Sequence, residues 1–213
     1  MYLPRHFEEL RPDRLHAFIA DHPLGALVVN GPHGLDANHL PFLIDVGSDG
    51  KVRLLAHVAR ANPVWQEVED GSNVLVIFRA DGAYISPNWY PTKAETHRAV
   101  PTWNYQVVHA HGTFHVHDDE KFLRGVVGRL TRHHEGRADA QHPWKMGDSP
   151  RDYIEQMIAS VVGISVLVTS MTGKWKLGQN RAEVDRIGAA DALERQGDGA
   201  TARAMRTALD GVS

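Results

Sequence analysis

Three polar residues, His57, Arg60 and Asn62, follow an apolar run within residues 54–65, LLAHVARANPVW, and stand just before a proline. That order suits anion capture. Asparagine is a favoured N-cap and proline fits the first helical turn, so exposed backbone donors and the positive dipole end would lie beside Arg60. Charge and fork geometry together would then hold a phosphate. A strand, a turn and a capped helix with a solvated arginine give the same pattern, so the segment alone leaves both open.

Aromatic and polar residues alternate in residues 84–90, YISPNWY, and 101–105, PTWNY. Planar side chains among Ser, Asn and Thr suit a planar ring with polar edges, such as a flavin. A hydrophobic rim or a dimer interface favours the same residues. Residues 173–181, GKWKLGQNR, bring Lys174, Lys176 and Arg181 around Gln179 and Asn180. These donors suit a phosphate or the carbonyl edge of a ring, although a basic strand end facing solvent has the same composition. Fourteen histidines include His109, His111, His115 and His117 on one candidate strand. A continuous strand turns all four the same way, as a metal or haem site requires, unless Gly112 introduces a bulge. No zinc signature accompanies them, so a metal is not expected.

The elements that position these groups are mostly strands. A helix is expected over residues 11–22, and Pro23 ends it. Strands are expected over 24–30, 37–45, 51–59, 73–80, 83–90, 102–117 and 163–176, with turn residues between them. Helices are expected over 120–134 and 150–160, and one or two polar helices from 181 onward, divided by the Gly-Asp-Gly at 197–199. Loops are expected at 92–100 and 135–149, the second with Trp144 as an anchor. Closely spaced strands with few helices favour an antiparallel barrel or sandwich over a doubly wound sheet. No GxGxxG, phosphate-loop or GxSxG motif is present.

Twenty-three basic and 26 acidic residues give a net charge of −3, with a pI near 6.5. Nothing in that balance favours DNA, RNA or an anionic membrane, and no basic face or helix-turn-helix is evident. The absence of cysteine excludes disulfides, thiolate catalysis and cysteine-based metal sites. No apolar run reaches the length of a bilayer span, and the first residues lack a signal-peptide pattern, so a cytoplasmic protein is expected.

Six motifs in order, MYLPRHF at 1–7, NHLPF at 38–42, HVARANPVW at 57–65, YISPNWY at 84–90, VPTWNY at 100–105 and GKWKLGQNR at 173–181, resemble the PaiB family. Its members are described as FMN-binding negative transcriptional regulators. The resemblance implies an α+β, mainly β fold: a split β-barrel similar to pyridoxamine-phosphate oxidases, with peripheral helices and FMN at a homodimer interface. It covers residues 1–187 and leaves 188–213 as a helical tail. It places His57, Arg60 and Asn62 at the phosphate and ribityl end of FMN. Tyr84, Ser86, Trp89, Trp103, Asn104 and Tyr105 would lie near the ring, with Lys174, Lys176, Gln179 and Asn180 closing the site. Gly178 stands where the family pattern KLSQN has serine, which removes one hydroxyl donor. Three functions compete: a flavin-dependent or flavin-sensing regulator, an FMN-dependent oxidoreductase, and haem handling through the histidine strand. Tyr105 and His39 are the candidates for moving a proton.

Overall fold

A computed structural model describes residues 1–138 and 141–210, apart from the side chains of 209 and 210. After a 3₁₀ turn at Arg5–Phe7 come β1 (Glu8–Glu9), α1 (Pro12–Asp21), β2 (Leu24–Gly31), β3 (Gly34–Pro41), β4 (Leu43–Val46) and β5 (Val52–Ala59). Then follow α2 (Val64–Glu67), β6 (Asn73–Arg79), β7 (Ala83–Ile85), a 3₁₀ turn at Pro87–Trp89, α3 (Lys93–Thr96) and β8 (Thr102–His117). The rest is α4 (Glu120–Ala138), a 3₁₀ turn at Met146–Asp148, α5 (Arg151–Ala159), β9 (Val161–Lys176), α6 (Glu183–Arg195) and α7 (Gly199–Asp210). The strands join in one nine-stranded sheet of order β3-β2-β6-β8-β9-β5-β4, with β1 on β9 and β7 on β8. Pairing is antiparallel for β2–β3, β2–β6, β4–β5, β5–β9, β1–β9 and β7–β8.

The chain divides into two compact units: a first of residues 1–15, 79–108 and 172–213, and a second of 16–78 and 109–171. β8 and β9 are long enough to belong to both. The second unit buries Leu27, Phe42, Leu54, Val76, Phe78, Phe114, Ile164 and Val166. Full burial of each stabilises by roughly 1.5–3 kcal/mol. Alternation does this along β8, where Ala110, Gly112 and Phe114 are buried while His109, Thr113 and His115 are partly exposed and His111 fully. The strand runs on through Gly112 with this alternation kept. Gly112 is a glycine for a steric reason: a Cβ there would lie 2.3 Å from the carbonyl oxygen of Leu167.

The first unit packs β7 against the C-terminal helices, burying Ala83, Ile85, Tyr90, Leu177, Ala189, Ala190, Leu193, Ala202 and Met205 in one cluster. Residue 188, the expected start of a separate tail, lies inside α6. Only 211–213 of that tail fall outside the described residues. The strand expected over 37–45 is two strands, because the Phe42 N–H turns away to donate to the Pro23 carbonyl and its ring enters the core. The strand expected over 83–90 stops at Ile85. Pro87 has no ladder donor, and the Ser86 hydroxyl accepts from the Asn88 N–H to start a 3₁₀ turn. The loop expected at 92–100 contains α3, ended by His97 in the left-handed region at φ 56°. In the loop expected at 135–149, α4 continues to Ala138, 139 and 140 fall outside the described residues, and the Trp144 side chain is exposed.

Gly112→Ala forces the Leu167 backbone to move and is expected to destabilise by about 1–3 kcal/mol. Gly125→Ala, in an open helical position of α4, is expected to stabilise by about 0.5–1 kcal/mol. Urea unfolding of both variants checks the pair. Equal effects would remove the close approach of β8 to β9 as the reason for Gly112.

Candidate functional site

In the second unit, β5 delivers His57 half-buried, opposite Gly163 of β9. Its Nδ1 is buried with no hydrogen-bond partner, and burial pushes the imidazole pKa down. The N-cap of α2 is Pro63 rather than Asn62, which stands one residue earlier and braces the turn into the helix. Its Oδ1 accepts from the Val64 N–H at 3.0 Å and its Nδ2 donates to Asn38 Oδ1 at 2.7 Å. The helix it introduces, α2, has only four residues, so little dipole gathers at its start.

Arg60 is fully employed. Its Nη1 and Nη2 donate to the two carboxylate oxygens of Asp118 at 3.0 and 2.6 Å. Nε donates to the Ala159 carbonyl at 2.8 Å and Nη2 also to the Val161 carbonyl at 3.1 Å. The arginine therefore caps the negative end of α5, and it holds the Asp118 carboxyl below its usual pKa range. The groove beside it, about 480 Å³, sets two arginines, Arg60 and Arg151, against Asp118, Glu120 and Glu155. Its charge does not favour an anion.

The histidine strand keeps its register, yet each ring has its own surroundings. His115 Nδ1 faces Asp70 Oδ2 at 3.1 Å. His117 Nε2 lies 2.8 Å from Ser165 Oγ, and its ring stacks on Phe122 at 3.9 Å. Among the described residues no group of three or more His, Asp or Glu is placed to hold a metal ion.

The first unit gathers the remaining ten candidates. β7 and β8 pair Tyr84 with Trp103 in register, and the two rings meet edge to face at 6.1 Å, about half exposed. Beside them Lys176 Nζ donates to Thr102 Oγ1 at 2.5 Å and to the Trp103 carbonyl. Burial, with Lys174 and Arg181 nearby, pushes its amine pKa down. Lys174 is buried; its Nζ donates to the Tyr2 carbonyl at 3.1 Å and lies 5.6 Å from the Tyr105 ring centre. Gln179 braces the turn from both ends, accepting from the Leu177 N–H at 2.9 Å and donating to the Trp175 carbonyl at 2.6 Å. Asn180 is exposed, Ser86 is spent as a cap, and Trp89 packs on the helical cluster. Asn104 is buried, and its Nδ2 meets only the Met205 sulfur at 3.4 Å. Of the two proton-transfer candidates, His39 is exposed on β3 and Tyr105 flanks Lys174.

Two residues absent from the sequence-based set matter here. Asp185 is buried and accepts from the Thr92 N–H at 3.0 Å and the Thr92 hydroxyl at 2.7 Å, tying α6 to the segment after Trp89. Arg186 is 6% exposed, and its Nε and Nη2 have no partner. Spacing gave a signal: Arg186, Ala189, Ala190 and Leu193 fall at i, i+3, i+4 and i+7, one buried helix face.

A nine-stranded, largely antiparallel sheet with peripheral helices, carrying an exposed aromatic pair and a set of donors at one strand end, defines a split-barrel protein of the flavin-binding type. The sequence model of the family described as "Putative FMN-binding domain" matches residues 1–170, and the chain belongs to that PaiB-type family, whose cofactor is FMN. It is 28% identical over 196 residues to the "Protease synthase and sporulation protein PAI 2" of Bacillus subtilis, covering 92% of this chain and 90% of that protein. It is 30% identical over 242 residues to an uncharacterised protein of Aspergillus fumigatus, with 92% of each covered. A FAD- and haem-binding protein from Mycobacterium smegmatis shares the fold, with TM-score 0.56 and 18% identity over 81% of this chain and 74% of that one.

The residues present fit FMN by their chemistry. Lys176, Asn104 and Arg186 are donors, which complements the acceptor-rich pyrimidine edge of the ring and the phosphate, while Tyr84 and Trp103 supply planar apolar surface. The unpartnered guanidinium of Arg186 is the observation that most calls for an acidic ligand.

His57 yields a prediction of its own. Its lowered folded-state pKa means the unfolded chain takes up its proton first, so the stability it supports is present above about pH 6.5 and is lost as pH falls through the folded value. His57→Phe is expected to lose less stability than the wild type between about pH 7.5 and 5.5, as read by urea unfolding at each pH. Parallel curves would remove the buried imidazole as the cause.

Proposed function

We propose that the chain holds FMN on the first unit's aromatic pair, the ring against Trp103 and Tyr84 and its polar edge toward Lys176, and that it works as a flavin-sensing regulator. The observation that carries this is the linkage of the site to the helices. Tyr84 to Tyr90 run directly into Thr92, which Asp185 fastens to α6, and α6 packs on α7. A ring that orders Tyr84 and Trp103 therefore biases the segment on which the C-terminal helices rest. The regulatory role of the family fits this arrangement.

Within the second unit, His57, Arg60 and Asn62 are proposed as an anion contact in their own right, only to the extent that their present partners release them. His57 Nδ1 is free to act. Arg60 would have to exchange Asp118 and two carbonyls for a phosphate, an exchange that recovers little net energy. FMN when bound supplies one- and two-electron redox chemistry. A second reading, an FMN-dependent oxidoreductase, is favoured by the exposure of Tyr84 and Trp103, which would leave one ring face open to a reductant. A homodimer is proposed from the family resemblance.

Titration of FMN fluorescence against the full chain is expected to show saturable quenching, weakened in Trp103→Ala by about 1–3 kcal/mol for loss of stacking. Absence of saturable quenching would overturn flavin binding at this site. Oxidation of NADH or NADPH by the loaded protein, followed at 340 nm, decides for the oxidoreductase; binding without turnover decides for the sensor (wavelength as the ordinary reduced-nicotinamide band, about 340 nm).

A further inference from the structure

Residues 174–186 carry four cations, Lys174, Lys176, Arg181 and Arg186, and among the described residues none of them makes an ion pair. Elsewhere most arginines are paired: Arg11, Arg14, Arg53, Arg60, Arg124, Arg129, Arg137, Arg151 and Arg206 each reach a carboxylate. The deficit is sharpest at Arg186. It is the most deeply buried of the four, its Nε and Nη2 are unpartnered, and the neighbouring Asp185 is committed to Thr92. The acid that supports its charge, Glu183, is on the exposed face of α6. A buried cation in that state costs several kcal/mol.

The free atoms are the right ones for an oxyanion. Nε and Nη2 form the side edge of the guanidinium fork, which matches two oxygens of a phosphate or carboxylate with parallel bonds. Beside Arg186 the chain turns at Gly178, whose φ of 87° favours glycine. A Cβ on Gly178 would lie 3.5 Å from Arg186 Cγ and 3.9 Å from Asn104 Nδ2, so both side chains converge on this turn. Asn104 brings a second donor that the Met205 sulfur satisfies only weakly. The two free edge nitrogens of Arg186 and the Asn104 amide together offer three donors, which suits the several oxygens of a phosphate.

We propose that Arg186 and Asn104, converging on the turn at Gly178, form a buried recognition site for a phosphate group. The group is either the phosphate of FMN, in which case the site deepens the flavin assignment above, or free inorganic phosphate, in which case it stands apart from it.

The test uses the full chain, Arg186→Met, which keeps volume and removes charge, and Arg186→Lys, which keeps charge and removes the fork. Thermal unfolding in inorganic phosphate against chloride at equal ionic strength is expected to show phosphate-specific protection of the wild type, reduced in Arg186→Lys and absent in Arg186→Met. Protection of neither protein, or equal protection of wild type and Arg186→Met, overturns the site. Should Arg186→Met fail to fold, Arg186→Lys carries the comparison, and undiminished protection in it overturns the fork. Quenching titrations then identify the source. A preference of about tenfold or more for FMN over riboflavin, lost in the variants, assigns the site to the FMN phosphate. Equal binding of both flavins with phosphate protection intact assigns it to free phosphate. Phosphate protection without any flavin binding removes the flavin assignment and leaves the phosphate site standing.

Discussion

Two hydrogen bonds from Thr92 to the buried carboxylate of Asp185 hold the first unit's site in place. Beyond the ladder with β8, which Pro87 ends, the segment from Ser86 to Pro91 is held by its 3₁₀ turn and by Trp89 and Tyr90 packing on the helical cluster, and these bonds add a polar tie to α6. The bonds also fix the phase of α6. With Asp185 turned toward Thr92, the next residue points Arg186 into the protein, and the carbonyl of Trp89 comes close enough to Gly188 that a Cβ there would sit at 2.5 Å. Hydrogen bonds to a carboxylate are stronger than neutral ones, and these replace what water would otherwise supply to a buried charge. The aromatic pair, the turn at Gly178 and the buried guanidinium thus share one support.

Arginines meet carboxylates in both units, except along one stretch of the first. In the second, Arg60 meets Asp118 and two helix-end carbonyls, Arg129 meets Asp45 and Arg137 meets Asp21. These pairs are at least a third exposed on the arginine side, and each adds little to stability on its own; their work is to set where α4 and α5 end. In the first unit Arg11 and Arg14 meet Glu9 and Arg206 meets Asp191 and Glu194, but among the described residues Lys174, Lys176, Arg181 and Arg186 make no ion pair. A paired arginine is a structural part, whereas an unpaired buried one is held in reserve for something acidic. That contrast makes Arg60 the less suitable anion ligand of the two, although its motif is the more suggestive.

The sequence was legible where local rules decide. Thr102–His117 reads as a strand from its alternation and is one, and 163–176 differs from β9 by two residues at its start. Proline and serine at 86–87 carried the information that the strand ends there, but the aromatic run around them reads as β. The partner of Arg60 lies 58 residues away in Asp118, and no spacing rule reaches that far. The last helices were harder for a different reason. α6 mixes charged and apolar residues so evenly that composition makes it a solvated tail, while its i, i+3, i+4, i+7 set of Arg186, Ala189, Ala190 and Leu193 marks a buried face once the arginine is allowed into it.

Admitting a buried arginine to that face changes what the helix is for. An apolar residue of similar volume at position 186 would carry no desolvation penalty, and such replacements of buried charges are often neutral or stabilising. Retaining the charge therefore weakens the unoccupied protein and strengthens the occupied one, by the same interaction. A ligand that neutralises Arg186 gains more than its contacts alone, because it relieves a strain already present, and the relief is delivered to α6 itself. On the phosphate proposal, binding free energy would be coupled to the packing of the C-terminal helices through a residue that belongs to both, as the proposed sensing role requires.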